Sequence, residues 1–282
     1  MFDVTRSFYK SSPGYGGMLY AWFPSMHTRT DIILCGKQTK KEFLLVVDAI
    51  YERLSYIEKL GNCYDADSEL ARLNRVAALR PQPVSCELYD MLTFCMDCHT
   101  RTNGFFDITV HSENYTPSTI SGIQLSSEAH TLFFQHSGIN INLSGFLKGY
   151  ALESIRELLQ LYGIEDALVN MGNSSILALG HHPLATGWRI GFEQGGVSNK
   201  GEKQEVLLKN ECLTVSGNDS LERKHIIAPY SGKLIEGKWM VAVVTESGAV
   251  GEILSTALFA ADTYQQKLLE MEFHPRLILK LC

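Results

Sequence analysis

Residues 142–150, Asn-Leu-Ser-Gly-Phe-Leu-Lys-Gly-Tyr, place polar side chains between a predicted strand and a predicted helix. The N-terminus of a helix attracts anions, and Lys148 in the first turn would add a mobile positive charge. Phosphate binding is therefore the functional interpretation of this segment. The structural alternative is that Ser144 only caps the helix while Lys148 is solvated.

Glu252 and Thr256 are spaced i to i+4 within an otherwise apolar predicted helix. This spacing puts a carboxylate and a hydroxyl on one helical face, one turn apart. Mg²⁺ prefers oxygen ligands, so the pair is a candidate cation site. An exposed Glu beside a Thr that bonds its own helix is the structural alternative.

His225 lies between a predicted strand and a turn that contains Pro229 and Gly232. An imidazole titrates near neutral pH, which suits a general base. A structural or exposed histidine is the alternative. These three segments are the candidate chemical groups of the chain.

Hydrophobic periodicity predicts the elements that position these groups. One helix is predicted to end at Gly61 and another to begin near Ser144, because each carries an apolar stripe at helical spacing. Residues 21–34, 105–110 and 132–141 have strand-like composition. Strand runs beside segregated helices predict an α+β fold with mixed or antiparallel sheets packed with helices, in two intimate lobes.

Composition excludes several classes of protein. The 282 residues carry a formal net charge of −6 with dispersed Lys and Arg, so nucleic acid is not an expected partner. No apolar run reaches the roughly 20 residues of a membrane span. The N-terminus has no signal-peptide pattern, and the cysteines lack framework spacing. These features predict free thiols and a cytoplasmic location.

Cys95-Met-Asp-Cys98-His99 matches the spacing of a covalent haem site, but it lies within the helix predicted for residues 87–100. Haem attachment also requires export, and a closed zinc site requires about four ligands. Helix core residues are therefore the preferred interpretation of these cysteines.

The order of the motifs carries a resemblance that covers the chain from about residue 20 onward. Each motif is similar to one of the ApbE family, the FAD:protein FMN transferases, and the family's D-L-S-x-x-x-K-G-Y, H-I-I-D-P-x-T-G and D-A-x-S-T-A motifs correspond to the segments above. The similar segments are residues 25–28, 64–74, 103–110, 142–150, 169–173, 216–217, 225–232 and 252–257. The resemblance implies one ApbE-like domain over residues 1–282, with residues 1–20 peripheral.

For that family, the implied reaction is attack by a Ser or Thr hydroxyl of a target protein on the FMN phosphate of FAD, with release of AMP. The resemblance implies His225 as the base. It implies Mg²⁺ held by the Gly145 carbonyl and by oxygens of Glu252, Ser255 and Thr256. The implied flavin contacts are Met26, Tyr64, Phe105, Phe106, Asp107, Asn142, Lys148 and Ile226.

Several positions depart from the family motifs. Asn142 and Glu252 each stand where the motif has Asp, and the others are His27 and Asn173 for Gly, Val215 for Thr and Ala228 for Asp. The loss of carboxylates predicts weaker or altered metal dependence. Two alternatives stay open: hydrolysis of FAD to FMN and AMP, and a flavin-binding module without catalysis. The family is typically periplasmic or membrane-anchored, in contrast to the cytoplasmic prediction made above.

Overall fold

The computed structural model describes residues 3, 6–12, 16–192, 204–218, 225–237 and 239–281. Its helices are α1 (Lys40–Gly61), α2 (Glu69–Val76), α3 (Cys86–Arg101), α4 (Leu147–Leu161), α5 (Gly248–Ala260) and α6 (Thr263–Phe273). Its strands are β1 (Ser7–Ser12), β2 (Gly16–Ser25), β3 (Thr28–Gly36), β4 (Gln82–Pro83), β5 (Ile123–Ser126), β6 (Thr131–Phe134), β7 (Asp166–Met171), β8 (Ser175–Leu179), β9 (Trp188–Phe192), β10 (Gln204–Leu208), β11 (Glu211–Gly217), β12 (Ile227–Ala228), β13 (Lys233–Leu234), β14 (Met240–Thr245) and β15 (Leu277–Leu281).

An eight-stranded sheet in the order β1-β2-β3-β7-β8-β11-β14-β15 forms the centre of the molecule, and its strand pairs are antiparallel. One face packs against α1, α4 and α5, and the other is covered by the β9–β10 hairpin. A small sheet, β4-β6-β5, contributes Leu132 and Phe134 to the same core as the helices. This architecture confirms the predicted α+β class.

Helix α1 forms for the reason that its sequence indicates. Its apolar stripe, from Phe43 to Ile57, is fully buried, and its N-terminus is closed by a capping box between Thr39 and Glu42. Ser68 caps α2 by accepting a hydrogen bond from the Ala71 N–H at 3.0 Å. The helix predicted to end at Gly61 is confirmed.

Four expectations from strand-like composition or periodicity differ from the structure in element type or in limits. Residues 105–110 form turns, because the Asp107 carboxylate accepts hydrogen bonds from the Thr109 N–H and hydroxyl and so replaces a strand ladder. Residues 21–34 form a hairpin, with a turn at Met26 and His27. Strand β6 ends at Phe134, and α4 begins at Leu147, beyond Ser144.

The cysteines of the described residues form no disulfide with one another. Cys95 and Cys98 lie in the core on α3, as the helical interpretation predicts, and His99 Nδ1 lies 2.9 Å from the Phe106 carbonyl oxygen. Among the helices that the structure describes, none has the length and apolarity to cross a bilayer.

Helices α4 and α5 approach each other closely at Gly149 and Gly248. This contact sets the distance between neighbouring residues on the two helices. A Cβ atom on Gly149 would lie 2.2 Å from the Gly248 carbonyl oxygen, and one on Gly248 would lie 2.9 Å from the Gly149 carbonyl oxygen. Side chains at either position would push the helices apart. Lys148 and Glu252 lie one and four residues from this contact, so their separation depends on it.

Gly149→Ala is expected to lower the free energy of unfolding by about 1–3 kcal/mol, because the added methyl group overpacks a backbone contact. Urea unfolding followed by circular dichroism measures this change. Gly191→Ala is the matched control, since a Cβ atom there meets no atom within 4 Å. Equal stability of the two variants would contradict a close helix contact.

Candidate functional site

A cavity of about 620 Å³, called the site cavity below, opens where α4 and α5 meet the ends of β7, β8 and β11. Most of the sequence-predicted site residues line it: Phe105, Phe106, Asp107, Asn142, Gly145, Lys148, His225, Ile226, Glu252 and Thr256. The volume is in the range of small-molecule binding sites. The structure therefore brings together the three segments that the sequence singled out.

Lys148 and Glu252 form the electrostatic centre of the site cavity. The Lys148 Nζ lies 3.7 Å from the Glu252 Oε1, and the two side chains also contact the hydroxyls of Ser174 and Ser175, respectively. Glu252 is only 3% exposed, and burial raises the pKa of its carboxyl, while Lys148 and the Ser175 hydroxyl lower it. The charge of Glu252 is thus paired, in contrast to the exposed side chain of the structural alternative.

The first turn of α4 borders the cavity through Lys148. Helix α4 begins at Leu147, and its N-cap residue, Phe146, makes no side-chain cap hydrogen bond. Ser144 and Gly145 line the cavity just before the helix. The capping alternative for Ser144 is therefore wrong, and this helix end adds partial positive charge beside Lys148.

Hydroxyl groups form a connected wall between β11 and α5. The Ser216 Oγ lies 2.8 Å from the Ser255 Oγ and 3.0 Å from the Thr256 Oγ1, and the Ser255 hydroxyl donates to the Glu252 carbonyl oxygen at 3.1 Å. Ser255 is buried and lies behind the wall, outside the lining of the cavity. Ser216 and Thr256 both line the cavity, and Thr256 is the one beside Gly145.

The residues implied for Mg²⁺ fit that ion in their donor chemistry. Gly145 and Thr256 are adjacent, since a Cβ atom on Gly145 would lie 3.7 Å from the Thr256 Oγ1, and both line the cavity with Glu252. Within the described residues, no three His, Cys, Asp or Glu side chains form a metal-binding group. A single carboxylate beside neutral oxygens suits Mg²⁺ only when ligand phosphates complete its shell.

Asp107 lines the cavity, but its carboxylate bonds to protein groups. Its oxygens accept hydrogen bonds from the Thr109 N–H at 2.7 Å and hydroxyl at 2.6 Å, and the Tyr115 hydroxyl lies 2.9 Å away. The same Tyr115 hydroxyl lies 3.0 Å from the Pro229 carbonyl oxygen. Burial, followed by the charge of Asp107, raises the pKa of Tyr115. Asp107 therefore anchors the segment that carries His225.

Met26 and Tyr64 are the implied flavin contacts that do not line the site cavity. Met26 lies at the β2–β3 turn, where it and His27 both have positive φ, of 48° and 58°. Such a turn favours Gly or Asn, so these residues store strain of about 1–3 kcal/mol. The Glu58 carboxylate holds the turn by accepting from the Met26 N–H at 3.1 Å. Tyr64 lies at the rim, where its hydroxyl bonds Asn142.

Several polar residues of the cavity were not among the sequence-predicted site residues, and they include His111, Asn173, Ser174 and Ser216. Asn173 and Ser216 lie within motif segments and Ser174 directly follows one, so their positions carried a signal. Asn173 has φ 58°, a conformation that Asn tolerates in place of the motif's Gly. His111 directly follows residues 103–110 and had no signal of its own.

Comparisons with known proteins identify the family and the fold of this chain. The sequence model of the ApbE family matches residues 26–276. Proteins named FAD:protein FMN transferase from Vibrio cholerae and Chlamydia muridarum are each 25% identical, over 69% and 82% of this chain and 67% and 78% of their own lengths.

Solved structures of similar fold include the flavin transferase ApbE from Vibrio cholerae, with a TM-score of 0.79, 21% identity and coverage of 93% of this chain and 92% of that one. The ApbE protein from Thermotoga maritima superposes with a TM-score of 0.75 and 21% identity, over 90% of this chain and 91% of its own. At this identity the likeness shows the fold. The predicted ApbE-like fold is therefore confirmed.

Proposed function

This chain belongs to the ApbE family, and from that premise we propose that it transfers FMN from FAD to a Ser or Thr hydroxyl of a target protein, with Mg²⁺ and with release of AMP. The observation that carries the proposal is the convergence of Lys148, His225, Glu252 and Thr256 on one cavity. A lysine, a helix N-terminus and an imidazole can supply the positive charge and the base that phosphoryl transfer to a hydroxyl uses.

In the proposed reaction, the target hydroxyl oxygen attacks the phosphorus atom of the FMN half of FAD. A P–O bond to the target forms, the P–O bond to the AMP phosphate breaks, and AMP leaves with that electron pair. His225 accepts the hydroxyl proton as general base. Its segment is linked to Asp107 through Tyr115 and Pro229, which supports a fixed position beside the cavity.

Lys148 would bind the pyrophosphate by charge, together with the first turn of α4. Mg²⁺, when bound, supplies positive charge that stabilises phosphate oxygens during transfer. The Gly145 carbonyl, the Thr256 hydroxyl and the Glu252 carboxylate would hold it. Glu252 contacts Lys148 and Ser175 in this structure, so an incoming phosphate that binds Lys148 would leave the carboxylate available to a cation.

The test is incubation of the purified protein with FAD and a Ser- or Thr-containing acceptor peptide, with and without Mg²⁺, followed by assay of AMP, free FMN and peptide-bound flavin. Covalent peptide fluorescence with equimolar AMP supports transfer. AMP with free FMN would assign hydrolysis instead, and FAD binding without AMP would assign a flavin-binding module. Absence of FAD binding would contradict all three functions.

Glu252→Asp is expected to lower the Mg²⁺ concentration for half-maximal activity, by about tenfold. Mg²⁺ requires near-octahedral geometry at short distances, and the shorter side chain removes the methylene that distinguishes this chain from the motif. Mg²⁺ titration of AMP release measures the change. Glu246→Asp, outside the cavity lining, is the matched control. An unchanged Mg²⁺ requirement in Glu252→Asp would show that this carboxylate is not a ligand.

A further inference from the structure

Tyr64 and Asn142 form a pair at the rim of the site cavity. The Asn142 side chain lines that cavity, and its Nδ2 lies 2.9 Å from the Tyr64 hydroxyl oxygen. Tyr64 lines an adjoining cavity of about 470 Å³, and His111 lines both. Tyr64 is 69% exposed, so a ligand in the adjoining cavity can reach its side chain.

Neighbouring hydrogen bonds hold the backbone on both sides of this pair. The Tyr64 N–H donates to the Asn62 Oδ1 at 3.0 Å, and the Ser68 hydroxyl donates to the Asn62 carbonyl oxygen at 2.6 Å. The Ser144 N–H donates to the Asn142 Oδ1 at 2.8 Å. These contacts place the phenol by local structure, before any ligand is present.

The bond from Ser144 determines which atom of the Asn142 amide faces Tyr64. A backbone N–H only donates, so the atom beside it is the amide oxygen, and the NH₂ group is left to face the phenol. An NH₂ group also only donates. The Tyr64 oxygen is therefore the acceptor in this pair, and its own proton is not used in the bond to Asn142.

We propose that Asn142 is a positioning residue that makes the Tyr64 hydroxyl a hydrogen-bond donor to an acceptor oxygen of the bound flavin nucleotide. This inference rests on the proposed function, because it takes FAD as the ligand. The acceptor is an oxygen of the flavin ring or of the pyrophosphate.

The motif has Asp at position 142, and an Asp there would reverse the direction of the hydrogen bond with Tyr64. The carboxylate introduced by Asn142→Asp would keep the Ser144 bond with one oxygen, while its other oxygen would accept the Tyr64 proton. The phenol would then offer only lone pairs to a ligand, which suits a donor group. The residue at position 142 thus determines whether the Tyr64 hydroxyl donates a hydrogen bond to the ligand or accepts one from it.

The test is a double-mutant cycle of FAD affinity, measured by flavin fluorescence titration, on the wild type, Tyr64→Phe, Asn142→Asp and the double variant. Tyr64→Phe is expected to weaken binding about three- to tenfold, the effect of one hydrogen bond. In the Asn142→Asp background the same change is expected to alter FAD affinity by less than about twofold, because the phenol already donates its proton to the introduced carboxylate. Repulsion between the introduced carboxylate and phosphate occurs in both members of that background and cancels in the cycle.

Asn142→Asp preserves the bond to the Ser144 N–H, and unchanged circular dichroism would verify its fold. The inference would be overturned if Tyr64→Phe lowered FAD affinity equally in both backgrounds. It would also be overturned if Tyr64→Phe did not lower FAD affinity in the wild-type background. Titration with riboflavin and with ADP distinguishes a ring oxygen from a pyrophosphate oxygen, because each probe carries one of them. Absence of FAD binding to the wild type would instead count against the proposed function itself.

Discussion

His225→Ala is expected to reduce covalent flavin transfer by about 10²–10⁴-fold while FAD still binds. The imidazole is proposed to accept the proton of the target hydroxyl, and loss of a general base has an effect of this size. FAD affinity is expected to remain within about threefold, because the proposed contacts to the pyrophosphate are made by Lys148 and the first turn of α4 and do not include the imidazole. Single-turnover rates of peptide flavinylation and flavin fluorescence titration measure the two quantities separately.

His181→Ala is the matched control for this prediction, because His181 lines a different surface cavity with Asp166 and Asn210. Its rate is expected to equal that of the wild type. Free imidazole added to His225→Ala is expected to restore part of the rate, since it supplies the missing base at the vacated position. Transfer at more than a tenth of the wild-type rate in His225→Ala, without imidazole, would show that another group accepts the proton.

The elements that periodicity predicted are those whose stability comes from burial of one face. The stripe from Phe43 to Ile57 is buried along α1, and it could be predicted because helical spacing alone places those side chains on one side. Residues 105–110 have β-branched and aromatic composition, yet they form turns. The cause is the Asp107 carboxylate, whose bonds to Thr109 compete with strand pairing, and composition does not reveal such a bond.

The sequence predicted which residues form the site better than it predicted the contacts between their side chains. Motif order placed Lys148, His225 and Thr256 together, and the structure brings them to one cavity. Neither the contact of Glu252 with Lys148 nor that of Asn142 with Tyr64 was predictable, because each joins residues distant in sequence across the packed elements. Asn142 and Glu252, two of the six departures from the motifs, are thus positions whose side chains take partners within the site.

Lys148→Met is expected to lower the free energy of unfolding by about 3–5 kcal/mol at neutral pH, measured in buffer with a metal chelator. The change removes the counter-charge of Glu252, and an unpaired carboxylate buried in the core has a cost of this size. Met keeps the apolar part of the lysine side chain. The decrease in the free energy of unfolding therefore comes mainly from the lost charge and less from lost packing. Urea unfolding followed by fluorescence measures it, and Lys267→Met, an exposed lysine on α6, is the control.

The loss in Lys148→Met is expected to depend on pH. Burial raises the pKa of Glu252 above its usual value near 4.5, and removal of Lys148 raises it further. Between the unfolded and the folded pKa the folded chain binds more protons, so stability falls as pH rises through that window. The deficit relative to the wild type should therefore be largest above the folded pKa of the variant and should shrink as the pH approaches 4.5.

Glu252→Gln combined with Lys148→Met separates stability from ligand binding. The double variant has no buried charge to compensate, so most of the lost stability should return. FAD affinity should stay about 10–100-fold weaker than in the wild type, because the charged donor to the pyrophosphate is still absent. If the double variant regained FAD affinity together with stability, Lys148 would serve only to neutralise Glu252. If the single variant were as stable as the wild type, the pair would have no role in the fold.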